Sequence, residues 1–330
     1  MLKMIEQFPD TILDGINLGK SLDLGIDFKN IRNVFVSGMG GSGIGADFIH
    51  SFVKKDIKLP FVVGKSYGLP GWVDESTFLI ISSYSGNTEE TISALNTGIQ
   101  KAAKILVISS GGEIIKIAEK NHLPCIKLPA NWSSPRACLG FSIAAQLTAL
   151  MKAGLVPQDK ITELENAAQF LKSESIQIKE KSIRLADALS GKMIVSYCED
   201  HIEPVALRFR QQINENSKRL CWHQVIPEMN HNELVGWRQN NPHLAVLLLR
   251  NANDYFRNSQ RMDLTKEVVS LYSGAVVELY SKGKNLIERS LYLVHLLDYV
   301  SVHLAQYNGV DPIEVKVIDY LKSELSGIKA

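Results

Sequence analysis

Short apolar runs alternate with amphipathic segments across glycine- and serine-rich turns, twice over along this 330-residue chain. That alternation limits the fold more than any other feature. Strands are expected at Ile31–Val36, Phe61–Val63, Thr77–Ile81, Lys104–Ile108 and His122–Leu128, with helices over 44–54, 89–102 and 137–153. Phe78-Leu-Ile-Ile81 is apolar at every position, as in a strand buried on both faces. Such alternation predicts an α/β fold, each domain a doubly wound, mainly parallel sheet flanked by helices. After Gly154-Leu-Val-Pro157 and a helical stretch over 160–189, strands return at Met193–Tyr197, Leu220–Val225, His243–Leu249 and Ala275–Tyr280. Helices are expected between them at 201–217, 254–271 and 284–307. The chain is long enough for two cores, so the expected domains are 1–154 and 155–330, the second ending in a helix within Asp311–Leu325.

Charge excludes some partners. With 36 basic and 35 acidic side chains, no global field holds a nucleic acid, and any anion needs a local site. The four cysteines are widely spaced without a CxxC pair, and no spacing resembles a metal ligand set, so neither metal nor cofactor is expected. No apolar run is long enough for a membrane span, and the start lacks a signal-peptide pattern. A cytoplasmic protein is expected.

Ligands of doubly wound sheets bind beyond the carboxyl ends of the strands. Two turns there stand out. Ser37-Gly-Met-Gly-Gly-Ser-Gly-Ile-Gly45 lets the backbone approach a ligand ahead of a helix N-terminus. Gly38, Gly40 and Gly43 also fit a dinucleotide fingerprint, but Asp56, the acidic residue at the right distance, sits in a charged VKKDIK stretch rather than at a strand end. Ser82-Ser-Tyr-Ser-Gly-Asn-Thr88 sets hydroxyls and a glycine before another helix. Hydroxyls and free N–H groups suit a phosphate, whereas capping a helix needs only one such residue.

SSYSGNTEET resembles the phosphate signature of the sugar isomerase (SIS) domain family. Together with VSGMGGSG, SSPRA, INENSK, PEMNHNE and the terminal DPxxVxxIDYLK, the chain resembles the bifunctional phosphoglucose/phosphomannose isomerases from residue 34 to 324. The resemblance implies that Ser83, Ser85 and Thr88 contact phosphate and that Gly41 and Ser42 approach the sugar. It implies Glu215 as catalytic base, His231 in ring opening, Arg136 beside the developing enediolate, and Lys322 reaching the site from the last helix. It also implies a site between the domains, no metal, and a homodimer whose partner can lend His231.

The chemistry independently asks for such a set. Isomerisation opens the ring, removes the C2 proton and returns it at C1 through an enediol. A carboxylate suits that shuttle, and a fixed planar cation suits the charge on the oxygens. Mannose 6-phosphate additionally needs room for C2–C3 rotation, and the resemblance implies that this room comes from a small residue in the closing tail, where this chain has the compact Val315. The alternatives are a non-catalytic SIS sensor of sugar phosphates, or an isomerase of another sugar phosphate.

Overall fold

A computed structural model gives the fold of residues 1–328, which are the residues described. The chain forms two compact units.

The first unit comprises Lys3–Ser175 and Lys282–Leu293. A short helix α1 (Leu2–Glu6) leads into α2 (Phe8–Ser21), with Pro9 in its first turn, where the missing N–H costs nothing. Then follow β1 (Asn33–Gly38), α3 (Gly40–Val53), β2 (Phe61–Gly64), β3 (Thr77–Ser82), α4 (Glu89–Gln100), β4 (Lys104–Ser109), α5 (Glu113–Lys120), β5 (Cys125–Lys127), α6 (Leu139–Lys152) and α7 (Asp159–Ser173). All five strands are parallel, in the order β2-β1-β3-β4-β5.

Alternation of side chains divides the sheet's residues between two layers. Phe35, Leu79, Ile81, Ile105 and Val107 pack against Ala94 and Leu95 of α4 and Ile114, Ile115 and Ala118 of α5. On the other face α3 packs on β1 and β2 and is covered by α6, which α2 covers in turn. One boundary differs from expectation for a physical reason. The glycine run has low helix propensity, yet α3 begins inside it at Gly40, because the Met39 carbonyl accepts from the N–H groups of Ser42 and Gly43.

The second unit comprises Met1–Leu2, Ile176–Ser281 and the chain from Val294 onward. It contains α8 (Ser175–Leu189), β6 (Met193–Glu199), α9 (Glu203–Ser217), β7 (Cys221–Ile226), β8 (Asn241–Arg250), α10 (Phe256–Ser270), β9 (Ser273–Tyr280), most of α11 (Leu286–Tyr307) and α12 (Lys316–Ser326). Its four strands are parallel, in the order β7-β6-β8-β9. Val195, Tyr197, Val246 and Leu248 pack with Met262 and Val269 of α10 and with Met229 and Trp237 of the β7–β8 connection.

The units part at Ser175–Ile176. The turn at Gly154–Pro157 joins α6 to α7 within the first unit, where α7 packs on α2 and α6. Among the described residues, no helix is long and apolar enough to cross a membrane.

Candidate active site

In the first sheet the chain runs from β1 to β2 on one side and later to β3 on the other, so the crevice beyond β1 and β3 is the switch point where such folds bind ligands. Both loops singled out in the sequence arrive there. They are joined directly, because the Tyr84 N–H donates to Ser42 Oγ at 3.2 Å. Ser83 is buried, with its Oγ 3.1 Å from Thr88 Oγ1 and accepting the Gly86 N–H at 3.2 Å. Thr88 occupies the N-cap position of α4, yet its side chain makes no capping hydrogen bond and faces Ser83 instead. The hydroxyl is therefore not spent on the helix end. Ser85 is exposed at the tip, its Oγ accepting from the Asn87 N–H at 3.4 Å.

Tyr84 and Gly86 hold the loop's shape. The Tyr84 phenol donates to the Pro129 carbonyl at 2.7 Å, and burial pushes its pKa up to about 12, so it stays a neutral donor. Gly86 has a φ of +68°, and a Cβ there would sit 1.7 Å from the Gly111 carbonyl oxygen. Gly86→Ala is expected to cost more than the roughly 1–2 kcal/mol of a left-handed conformation alone. Thermal unfolding measures that loss, and the loop's affinity for inorganic phosphate should fall with it. An unchanged midpoint with unchanged affinity would refute the clash.

Arg136 belongs to the same unit. It lies in a 3₁₀ turn, Pro135–Cys138, and is buried. The position of a Cβ on Gly41 would be 3.4 Å from the Arg136 Cα, so the glycine permits the two backbones to close up. Six of the expected residues thus lie in the first unit: Gly41, Ser42, Ser83, Ser85 and Thr88 bring hydroxyls and the N–H groups of two helix starts to one crevice, and the backbone of Arg136 packs beside Gly41.

The other three lie in the second unit. Glu215 is half-buried in the last turn of α9, just before a left-handed Lys218 that ends the helix. Its neighbours are spent on structure. Asn216 Nδ2 donates to Ser301 Oγ at 2.8 Å and Ser217 Oγ donates to the Ser301 carbonyl at 2.7 Å. Lys218 Nζ donates to the carbonyls of Asp311 and Glu314 at 3.0 and 2.7 Å, fixing the segment that leads to Val315 beside the turn carrying Glu215. Lys322 lies further on, in α12, whose described side chains are all exposed.

His231 is exposed in the loop after β7. Because α9 connects the parallel strands β6 and β7, its C-terminal end lies where β7 begins, whereas His231 follows where β7 ends. Glu215 and His231 are therefore at opposite ends of the strands, separated along β7 by roughly 17 Å at the usual strand rise. The loop is anchored by residues the motif reading did not assign. Glu233 Oε1 accepts from the Tyr197 hydroxyl at 2.5 Å and from Trp222 Nε1 at 3.2 Å, while Trp237 Nε1 donates to the same hydroxyl at 3.1 Å. Burial first, and then the Glu233 hydrogen bond, push the Tyr197 pKa far up. Two tryptophans flanking an acidic residue were the available sequence signal.

One cluster went unread. Glu199, His201 and Asp254 place ligand-capable atoms within 4.8 Å of one another, though no spacing in the sequence suggested it. Burial, and with it the Glu199 charge, raise the Asp254 carboxyl to about 7, against the opposing Asn251 N–H.

Each unit is thus a parallel α/β sheet flanked by helices, the first with hydroxyl-bearing loops meeting at its switch point. The C-terminal domain of glucosamine-fructose-6-phosphate aminotransferase from Francisella tularensis shares the fold, with a TM-score of 0.77 over 94% of this chain and 97% of that one at 14% identity. Residues 178–325 match the family described as bacterial phospho-glucose isomerase C-terminal SIS domain. The chain is 36% identical to a bifunctional phosphoglucose/phosphomannose isomerase of Caldicellulosiruptor bescii, covering all of both chains. It is also 36% identical to the enzyme of that name from Aquifex aeolicus, over 92% of this chain and 93% of the other. The chain belongs to the bifunctional phosphoglucose/phosphomannose isomerase family.

Proposed function

We propose that this protein reversibly converts glucose 6-phosphate to fructose 6-phosphate, and mannose 6-phosphate to fructose 6-phosphate, as an aldose-ketose isomerase. The observation that carries the reading is the Ser83–Thr88 loop at the β1/β3 crevice, with its hydroxyls facing one another rather than capping a helix. On this reading Ser83, Ser85 and Thr88 hold the phosphate and Gly41 and Ser42 approach the sugar. Glu215 moves the proton between C2 and C1 through an enediol, His231 opens the ring, and Arg136 offsets the enediolate charge. Lys322 approaches the same substrate from α12.

A sensor would need the phosphate loop alone. A coupled assay on purified protein with fructose 6-phosphate separates the two, with aldose formation at an initial rate unchanged by EDTA as the expected result. Formation of neither aldose product would sink the enzymatic reading.

The strand-length separation of Glu215 from His231 supports a homodimer in which each site takes its histidine from the other copy. Glu215→Gln and His231→Ala chains, each inactive alone, should then regain activity on mixing. Independent sites within each chain predict no recovery once subunit exchange has been verified.

A further inference from the structure

The second sheet has a switch point of its own, between the carboxyl ends of β6 and β8, because the chain passes from β6 to β7 on one side and to β8 on the other. Where the first sheet offers hydroxyls and N–H groups to an anion, this crevice offers carboxylates and an imidazole. We propose that Glu199, His201 and Asp254 form a divalent-cation site of the zinc type, outside the isomerase machinery, that ties the turn after β6 to the loop after β8.

Three observations support it. His201 Nδ1 lies 3.5 Å from Glu199 Oε2, whereas its Nε2, 3.5 Å from Asp254 Oδ1, is engaged by Asn251, so Nδ1 is the ligand nitrogen of the site. Two ligands of one tetrahedral zinc ion, with bonds of about 2.0–2.1 Å, stand about 3.4 Å apart. Second, the Asp254 side chain is only 4% exposed, and its Oδ1 has no hydrogen-bond partner, whereas Oδ2 accepts the Asn251 N–H at 2.9 Å. Third, among the described residues neither carboxylate has an ion pair with lysine or arginine. Arg250, the nearby fixed cation, is engaged by Asp263 and Glu278. Among the described residues the cation within ion-pair distance of both carboxylates is His201, which is charged only when protonated, so with a neutral imidazole the buried pair is costly and a bound ion offsets that cost.

The outer groups orient the three. Glu199 accepts from the Tyr255 N–H at 2.7 Å and from Asn258 Nδ2 at 3.0 Å. Asn251 Nδ2 stands 2.5 Å from His201 Nε2 and Asn251 Oδ1 accepts the Ser281 hydroxyl, so the amide engages that ring nitrogen while Nδ1 faces Glu199. Mixed nitrogen and oxygen donors favour zinc or cobalt over calcium or magnesium.

The test uses the full chain, stripped with chelator and titrated with Co²⁺ by absorption and calorimetry. Expected are one ion per chain, visible bands without thiolate charge transfer, displacement by Zn²⁺, and a raised thermal midpoint. Asp254→Asn should weaken binding at least about tenfold, since even a lost partner of a ligand costs that much. His201→Gln should do the same, serving as the second variant if the first misfolds. Isomerase rate should persist in both, so failure of this site and failure of the isomerase reading are distinguishable. The proposal falls if uptake is not saturable at one ion per chain, if thiolate bands appear, or if both folded variants bind like the parent. It falls equally if the cluster holds a shared proton and takes up no metal at neutral pH.

Discussion

Replacing Glu215 by glutamine is expected to lower kcat for fructose 6-phosphate by about 10²–10⁴-fold while KM stays within a few-fold. The amide keeps the size and polarity of the side chain but cannot accept the C2 proton. The proposed phosphate loop lies in a different unit of the chain, so the substrate should still be held. The neighbouring side chains also argue that the helix end will survive. Asn216, Ser217 and Lys218 make the contacts to Ser301, Asp311 and Glu314, and each remains in the variant. Steady-state kinetics in both directions, with mannose 6-phosphate as well as glucose 6-phosphate, measure the effect. A Glu215→Gln enzyme within threefold of the parent would remove Glu215 as the base.

Asp298→Ala should produce the largest loss of stability. Arg208 of α9 and Asp298 of α11 are both almost fully buried, and the guanidinium meets the carboxylate through two bonds, Nε to Oδ1 at 3.0 Å and Nη2 to Oδ2 at 2.6 Å. Gln212 Nε2 donates to Oδ1 as well, at 3.2 Å. Removing one partner leaves a buried charge and should cost about 3–5 kcal/mol. That is a large part of an ordinary domain's stability, about 5–15 kcal/mol. Activity should fall too, because the pair pins the helix that carries Glu215. Denaturant unfolding checks the first claim and residual kcat the second. The double variant Arg208→Met/Asp298→Leu distinguishes causes, since paired removal of both charges should recover most of the stability. A double variant as unstable as Asp298→Ala would show that packing, rather than the orphaned charge, set the cost.

Much of the fold was legible because its signals are local. The nine strand positions followed from runs whose neighbours in sequence are also neighbours in burial, and β3 is buried at every residue as its apolar run implied. The serine loop was legible for a similar reason: its hydroxyls, glycine and helix start are adjacent in the chain. Gly86 could be recognised as a turn residue, but not as one pressed against Gly111, twenty-five positions on. The start of α3 was misplaced because glycine's weak helix propensity is a local average, whereas the Met39 carbonyl satisfies two N–H groups at once.

Site residues brought together only by strand pairing were beyond reach of spacing. Asp254 lies more than fifty positions after Glu199 and His201, and the β6–β8 pairing sets them side by side. Tyr197 reads as one more strand aromatic until its hydroxyl is seen between Glu233 and Trp237.

By itself the sequence determined the class of sheet and the hydroxyl-rich turn ahead of a helix start, since each is written in short stretches governed by periodicity and turn chemistry. Only the tertiary structure decided which residues share a crevice. A strand that separates Glu215 from His231 by its own length, and a pairing that joins Glu199 to Asp254, are consequences of chain reversal, and no local pattern encodes the direction in which a helix returns.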